Sequence, residues 1–115
     1  MRERVFLSLG IAMAMVLMWL ALRPVHETQF AEWYRHYPAH FGAFAALAIV
    51  WTFALPRASA LAIIGAIAVF GFFHEACEIV GHAHSFEVAD VLIDGVGAAM
   101  GGALGLWVRP RKSEA

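Results

Sequence analysis

The chain has 115 residues, 62% of them hydrophobic and only 15% charged, with a formal net charge of −1. A soluble domain carries roughly 45–50% apolar and about 25% charged residues, so the composition excludes an ordinary soluble fold and points to a single membrane domain over 1–115. No basic stripe exists for nucleic acid, and the single cysteine, Cys77, excludes an internal disulfide and reads as a buried free thiol.

The first apolar stretch follows Arg2-Glu3-Arg4 and runs from Val5 to Leu22 without a charge. Arg2 and Arg4 before an apolar run could introduce a signal peptide. The run exceeds the usual apolar region of ~7–15 residues, however, and Leu22-Arg23-Pro24 is a poor cleavage end. It reads as a retained transmembrane helix over 5–22. The segment 23–38 then collects His26, Glu27, Glu32 and His36, which read as loop surface, while Trp33, Tyr34 and Tyr37 suit an interfacial aromatic belt.

Three further spans follow, near 39–56, 59–80 and 87–108, each close to the ~20 residues that cross a ~30 Å hydrocarbon layer. The expected fold is an all-α, integral membrane four-helix bundle. Arg2, Arg4, Arg57, Arg109, Arg111 and Lys112, six of the eight basic residues, fall on the side of the two termini. The positive-inside bias therefore puts both termini in the cytoplasm. All six His and seven of the nine acidic residues fall toward the opposite, extracytoplasmic side.

Several of these acids lie within spans. Asp90 and Asp94 are four residues apart and share a helix face, with Ser85 expected as N-cap and Glu87 as an exposed first-turn carboxylate. Glu75 and Glu78 share a face of the third span beside His74, and His40 opens the second span above Phe44, Leu47 and Trp51. A carboxylate near the bilayer centre costs ~2.5–3.5 kcal/mol, so Glu75, Asp90 and Asp94 must turn away from lipid. One outward-opening pocket is expected to gather His40, Glu75, Glu78, Asp90 and Asp94, with His74 at its edge and His82 and His84 in the turn over its mouth. Gly97, Gly101 and Gly105 repeat every four residues, a spacing that serves either close packing inside the fold or dimerisation into a homo-oligomer.

These residues resemble the VanZ-like family of small bacterial membrane proteins. His40-Phe41 matches the pair that opens an apolar helix there. Glu75-Ala-Cys-Glu78 stands where the family has Glu-x-x-Gln, and His84 takes the place of a loop Arg. Asp90 matches an Asp, Asp94 replaces an Asn four residues later, and Gly97-Ala98-Ala99-Met100-Gly101 matches Gly-Ala-x-x-Gly. The resemblance covers the carboxyl half without gaps from Glu75 to Gly101; the first helix contributes only hydrophobicity. It implies a multi-pass protein of the bacterial inner (cytoplasmic) membrane with a cell-envelope role. Relative to the family, two amides have become acids and a cation has become an imidazole.

Two chemistries follow. Crowded carboxylates beside His divide into proton donors and acceptors, which gives Glu75, Asp90 and His40 the catalytic roles and Glu78, Asp94, His84 and His74 the binding pocket. The substitutions also favour a divalent metal such as Zn or Mn on His84, Glu78 and Asp94. The expected function is to bind or act on an envelope lipid or head group at the outer-leaflet interface, through a pocket that opens to the extracytoplasmic side. An ion- or proton-binding transporter and a non-catalytic scaffold are the alternatives.

Overall fold

The computed structural model describes residues 1–23, 33–82 and 85–110, with only the helical backbone described for 33–35 and 82. Four helices follow one another: α1 (Arg2–Leu22), α2 (Trp33–Ala54), α3 (Ala60–His82) and α4 (Val88–Val108). All four are long and apolar enough to cross a membrane. At ~1.5 Å per residue their 21 to 23 residues extend about 32–34 Å, slightly more than a ~30 Å hydrocarbon layer.

The expected spans are recovered, and their ends move for local reasons. The first helix already includes Arg2 to Arg4, because charged residues are good helix formers even where they end an apolar run. The largest shift is in α2, expected from residue 39 and found from Trp33, with Pro38 inside it. A proline removes one N–H and crowds the carbonyl four residues earlier, here within the opening turns, so the helix continues through it. Its other end falls at Ala54 because Leu55 precedes Pro56, a position that disfavours helical backbone. Ser59 caps α3, its Oγ accepting the Ala62 N–H at 3.1 Å. Ser85 was expected to cap α4, but the N-cap residue is Glu87. Its backbone N–H is donated to Glu75 Oε1 at 2.8 Å, so a carboxylate of α3 holds the chain as it enters α4.

The bundle buries polar groups and exposes apolar ones. Thr52, His74, Glu75, Glu78, Asp90 and Asp94 are buried, whereas Met15, Trp19, Leu61, Phe73, Leu92 and Trp107 are exposed. That is the reverse of a water-soluble domain.

The most extensive helix contact joins α2 and α4, which run parallel. The glycines of α4 make it possible. A Cβ at Gly97 would sit 2.6 Å from the Phe41 carbonyl oxygen, one at Gly101 would collide with the Ala45 carbonyl, and one at Gly105 with Thr52 Oγ1. The glycine stripe is therefore spent inside the fold, where the backbone of α2 lies directly on it. Beside this seam, Phe44, Leu47, Ala48, Ile63, Ile67 and Ala98 form the apolar core.

Candidate functional site

Alternation of direction brings the start of α2, the end of α3 and the start of α4 to one end of the bundle. His40 lies seven residues into α2, Asp94 six into α4, and Glu75 seven from the end of α3. All three are thus roughly 9–11 Å inside their helix ends.

The glycine seam sets α2 and α4 in register, and two His–Asp pairs result. His36 Nε2 lies 2.9 Å from Asp90 Oδ2, and His40 Nδ1 lies 2.8 Å from Asp94 Oδ1. Both pairs join residues 54 apart in sequence, as two parallel helices with side chains repeating every four residues require. The imidazoles follow one another along α2 with ring centres 4.4 Å apart and planes tilted by 47°. Asp90 and Asp94 are each 0% exposed, and burial at that depth is tolerated only with partners of this kind.

The third helix adds His74, Glu75 and Glu78, all buried. Glu78 Oε1 lies 3.6 Å from His40 Nε2 and 3.7 Å from His74 Nδ1. His40 is therefore placed between two carboxylates, its Nδ1 on Asp94 and its Nε2 facing Glu78. The floor is aromatic: Phe44 stacks parallel to His40 at 6.5 Å and meets His74 edge-on at 5.6 Å. Gly71 leaves the room beneath, since a Cβ there would come 3.2 Å from both Asp94 Cβ and Phe44.

Five of the pocket residues read from sequence, His40, Glu75, Glu78, Asp90 and Asp94, gather here, and His74 joins them. His36 is a correction. It was assigned to loop surface, yet it lies in α2 and pairs with Asp90. Its signal was the four-residue repeat His36-x-x-x-His40, a copy of Asp90-x-x-x-Asp94. Glu75, assigned an acid–base role, spends one oxygen on the Glu87 backbone and so also positions the turn. Of the expected metal set, Glu78 and Asp94 fall in different triads, and His84 lies outside the described residues. So do His26, Glu27 and Glu32, while His82 is described only by its backbone. Cys77 is half-buried on α3.

Three triads have potential ligand atoms within 4.8 Å of one another: His36, His40 and Asp90; His40, His74 and Asp94; Glu75, Glu78 and Asp90. His40 and Asp90 each belong to two, so the cluster is continuous. Chemically it offers imidazoles oriented by carboxylates, the arrangement of a general acid–base group, together with donors suited to a divalent cation.

A polar end continues into an apolar groove. Between α1, α2 and α3 lies a cavity of about 250 Å³ lined by Ala14, Leu47, Trp51, Ile67 and Phe70 among others. Phe70 is also 6.4 Å from the His74 ring, so cavity and cluster share a wall. The chain matches no protein-family model, no curated protein and no solved structure.

Proposed function

We propose that this is a VanZ-like multi-pass protein of the bacterial cytoplasmic membrane, with both termini cytoplasmic, whose polar centre binds or acts on the head group of an envelope lipid at the extracytoplasmic side. One observation carries the reading: the polar centre and the apolar groove lie on the same helix faces. Along α2 the stripe is His40, Phe44, Leu47 and Trp51; along α3 it is His74, Phe70, Ile67 and Ile63. Each stripe is polar at the same end and apolar below it, the form of an amphiphile. A head group fits the His–carboxylate end, with its chain laid along Phe70, Ile67 and Trp51.

In this reading His40 is the acid–base group and Asp94 orients it. With the proton on Nδ1 donated to Asp94, Nε2 is left as the proton-accepting atom, on the side of Glu78. Asp90 and His36 form the second pair nearer the surface. The orientation rests on Arg2, Arg4, Arg57 and Arg109 at the opposite end, together with Arg111 and Lys112 of the sequence.

A photoreactive phospholipid with the label in its acyl chain tests the reading. Labelling should concentrate on Trp51, Leu55 and Phe70 and saturate. Ala66→Trp, which fills the groove, should reduce it at least tenfold. Equal, non-saturating labelling of lipid-facing residues such as Leu92 and Leu104 would reject a specific lipid site. Orientation is checked separately with Ser85→Cys in intact cells, where access for an impermeant thiol reagent is expected from outside only.

A further inference from the structure

We propose that His40, His74, Glu78 and Asp90 hold one divalent transition-metal ion, with Asp94 as the carboxylate that orients His40. The inference deepens the reading of this cluster as a head-group site and rests on it for the ion's role, but its own argument is geometric.

Zinc–nitrogen and zinc–oxygen bonds are ~2.0–2.2 Å, so two ligands on one tetrahedral ion stand about 3.3–3.6 Å apart. His40 Nε2 is 3.6 Å from Glu78 Oε1, and His74 Nδ1 is 3.7 Å from the same oxygen. These contacts are too long for good hydrogen bonds and close to the spacing of ligands around a shared cation. His74 and Glu78 are i and i+4 on α3, the spacing that lets two ligands on one helix face reach a single ion.

The other nitrogen of His40 supplies a second argument. A metal-bound imidazole generally donates its remaining N–H to a carboxylate, which fixes tautomer and ring angle. His40 Nδ1 is 2.8 Å from Asp94 Oδ1, so the ring is already held with Nε2 directed at Glu78. Without a proton or cation between them, the Nε2 lone pair and the Glu78 oxygen would repel.

Asp90 supplies the third. Its Oδ2 is bonded to His36, but Oδ1 is buried and has no hydrogen-bond partner among the described residues. A fully buried carboxylate oxygen in that state is costly unless a cation or a proton shared with the neighbouring Glu75 carboxyl meets it. Asp90 shares one triad with His36 and His40 and another with Glu75 and Glu78.

Charge points the same way. Glu75, Glu78, Asp90 and Asp94, all ionised, outnumber His36, His40 and His74 by one negative charge even with every ring protonated. With the rings neutral, as ligation needs, a divalent ion offsets two of the negative charges that these four carboxylates can carry. The ligands come from α2, α3 and α4, so the ion would also tie three helices together. Two nitrogens and two oxygens suit zinc.

The test uses Co²⁺ as a spectroscopic probe on full-length protein in detergent, after chelation and dialysis. Wild type should bind one Co²⁺ with visible bands of a four-coordinate nitrogen–oxygen site, and Zn²⁺ should displace it. His40→Gln, Glu78→Gln and Asp90→Asn should each weaken binding more than a hundredfold, and Asp94→Asn by about 10–100-fold. Cys77→Ser should bind as wild type. Melting of wild type should rise with Co²⁺ concentration, a readout that needs no variant to fold.

Absence of stoichiometric Co²⁺ in wild type overturns the proposal, as does full retention of the ion in His40→Gln. The lipid-labelling experiment, repeated on chelated protein, separates the two readings. Labelling without any bound ion in wild type rejects the metal alone, whereas one bound ion without saturable labelling rejects the lipid alone.

Discussion

The two halves of the α2–α4 seam use the same four-residue period for opposite purposes. In the first half, Asp90 and Asp94 meet His36 and His40 through side chains at 2.9 and 2.8 Å. In the second half, Gly97, Gly101 and Gly105 present no side chain and let α2 lie on the backbone of α4. The glycine half sets the interhelical distance and the register; the acidic half depends on both. A charged pair in an apolar bundle needs this division, because its own attraction cannot repay desolvation unless its geometry is already fixed.

The sharpest way to break this arrangement is at Gly101, where a Cβ would collide with the Ala45 carbonyl. Backbone cannot move aside as a flexible side chain can, so Gly101→Ile should cost about 3 kcal/mol or more. It should also abolish the His–Asp pairs several residues away. Thermal melting in detergent and lipid labelling together check it: both should fall. Intact labelling would show that the acidic half holds its own register.

Next in size is the deeper pair. Asp94→Ala strips His40 of its oriented partner inside the bundle, and breaking a buried pair from one side costs ~3–5 kcal/mol. The shallower pair should matter less, since the His36 side chain is 27% exposed and its loss can be repaired by water. His36→Ala is expected to cost about 1–2 kcal/mol. A double cycle of His40→Ala with Asp94→Ala should show strong coupling, and His36→Ala with Asp94→Ala much less. Equal coupling would mean that the cluster responds as one unit rather than two pairs.

Glu75→Gln tests whether the cluster serves only to hold helices together. Glu75 Oε1 accepts the Glu87 N–H, and the amide oxygen of Gln can accept it equally. The change should therefore cost less than about 1.5 kcal/mol in stability. Under the head-group reading, lipid labelling should still decrease, because the charge facing the head group is gone. Unchanged labelling of Glu75→Gln and of Asp90→Asn, alongside lower melting temperatures, would instead support a scaffold.

Much of this was legible in the sequence because a membrane makes misplaced charge so costly. Four apolar runs gave the helix number, and acids inside those runs had to face inward, which identified Glu75, Asp90 and Asp94 before any contact was seen. Helix ends were harder. Apolarity marks what fits in lipid, not where hydrogen bonding stops, so α2 was found to begin at Trp33 rather than at 39. His36 was lost by the same reasoning, because it precedes the apolar run that begins near residue 39. Which His faces which Asp was beyond periodicity alone. That pairing depends on the offset of α2 against α4, and the offset is set by Phe41, Ala45 and Thr52 seated on three glycines.

The smallest effect expected is also the cleanest comparison, since it lies within two neighbouring glycines of α4. Nothing lies within 4 Å of a Cβ added at Gly95, whereas one added at Gly97 would stand 2.6 Å from the Phe41 carbonyl oxygen. At an open position Ala is the better helix former by ~0.8–1.0 kcal/mol, so Gly95→Ala should raise the melting temperature slightly and leave lipid labelling unchanged. Gly97→Ala should lower both, because α2 must move off the seam nearest the His–Asp pairs. If both substitutions stabilise, α2 does not lie on α4 at Gly97, and the register that aligns His40 with Asp94 has another origin. If only Gly95→Ala stabilises, the distance between the helices is set by the glycine face alone.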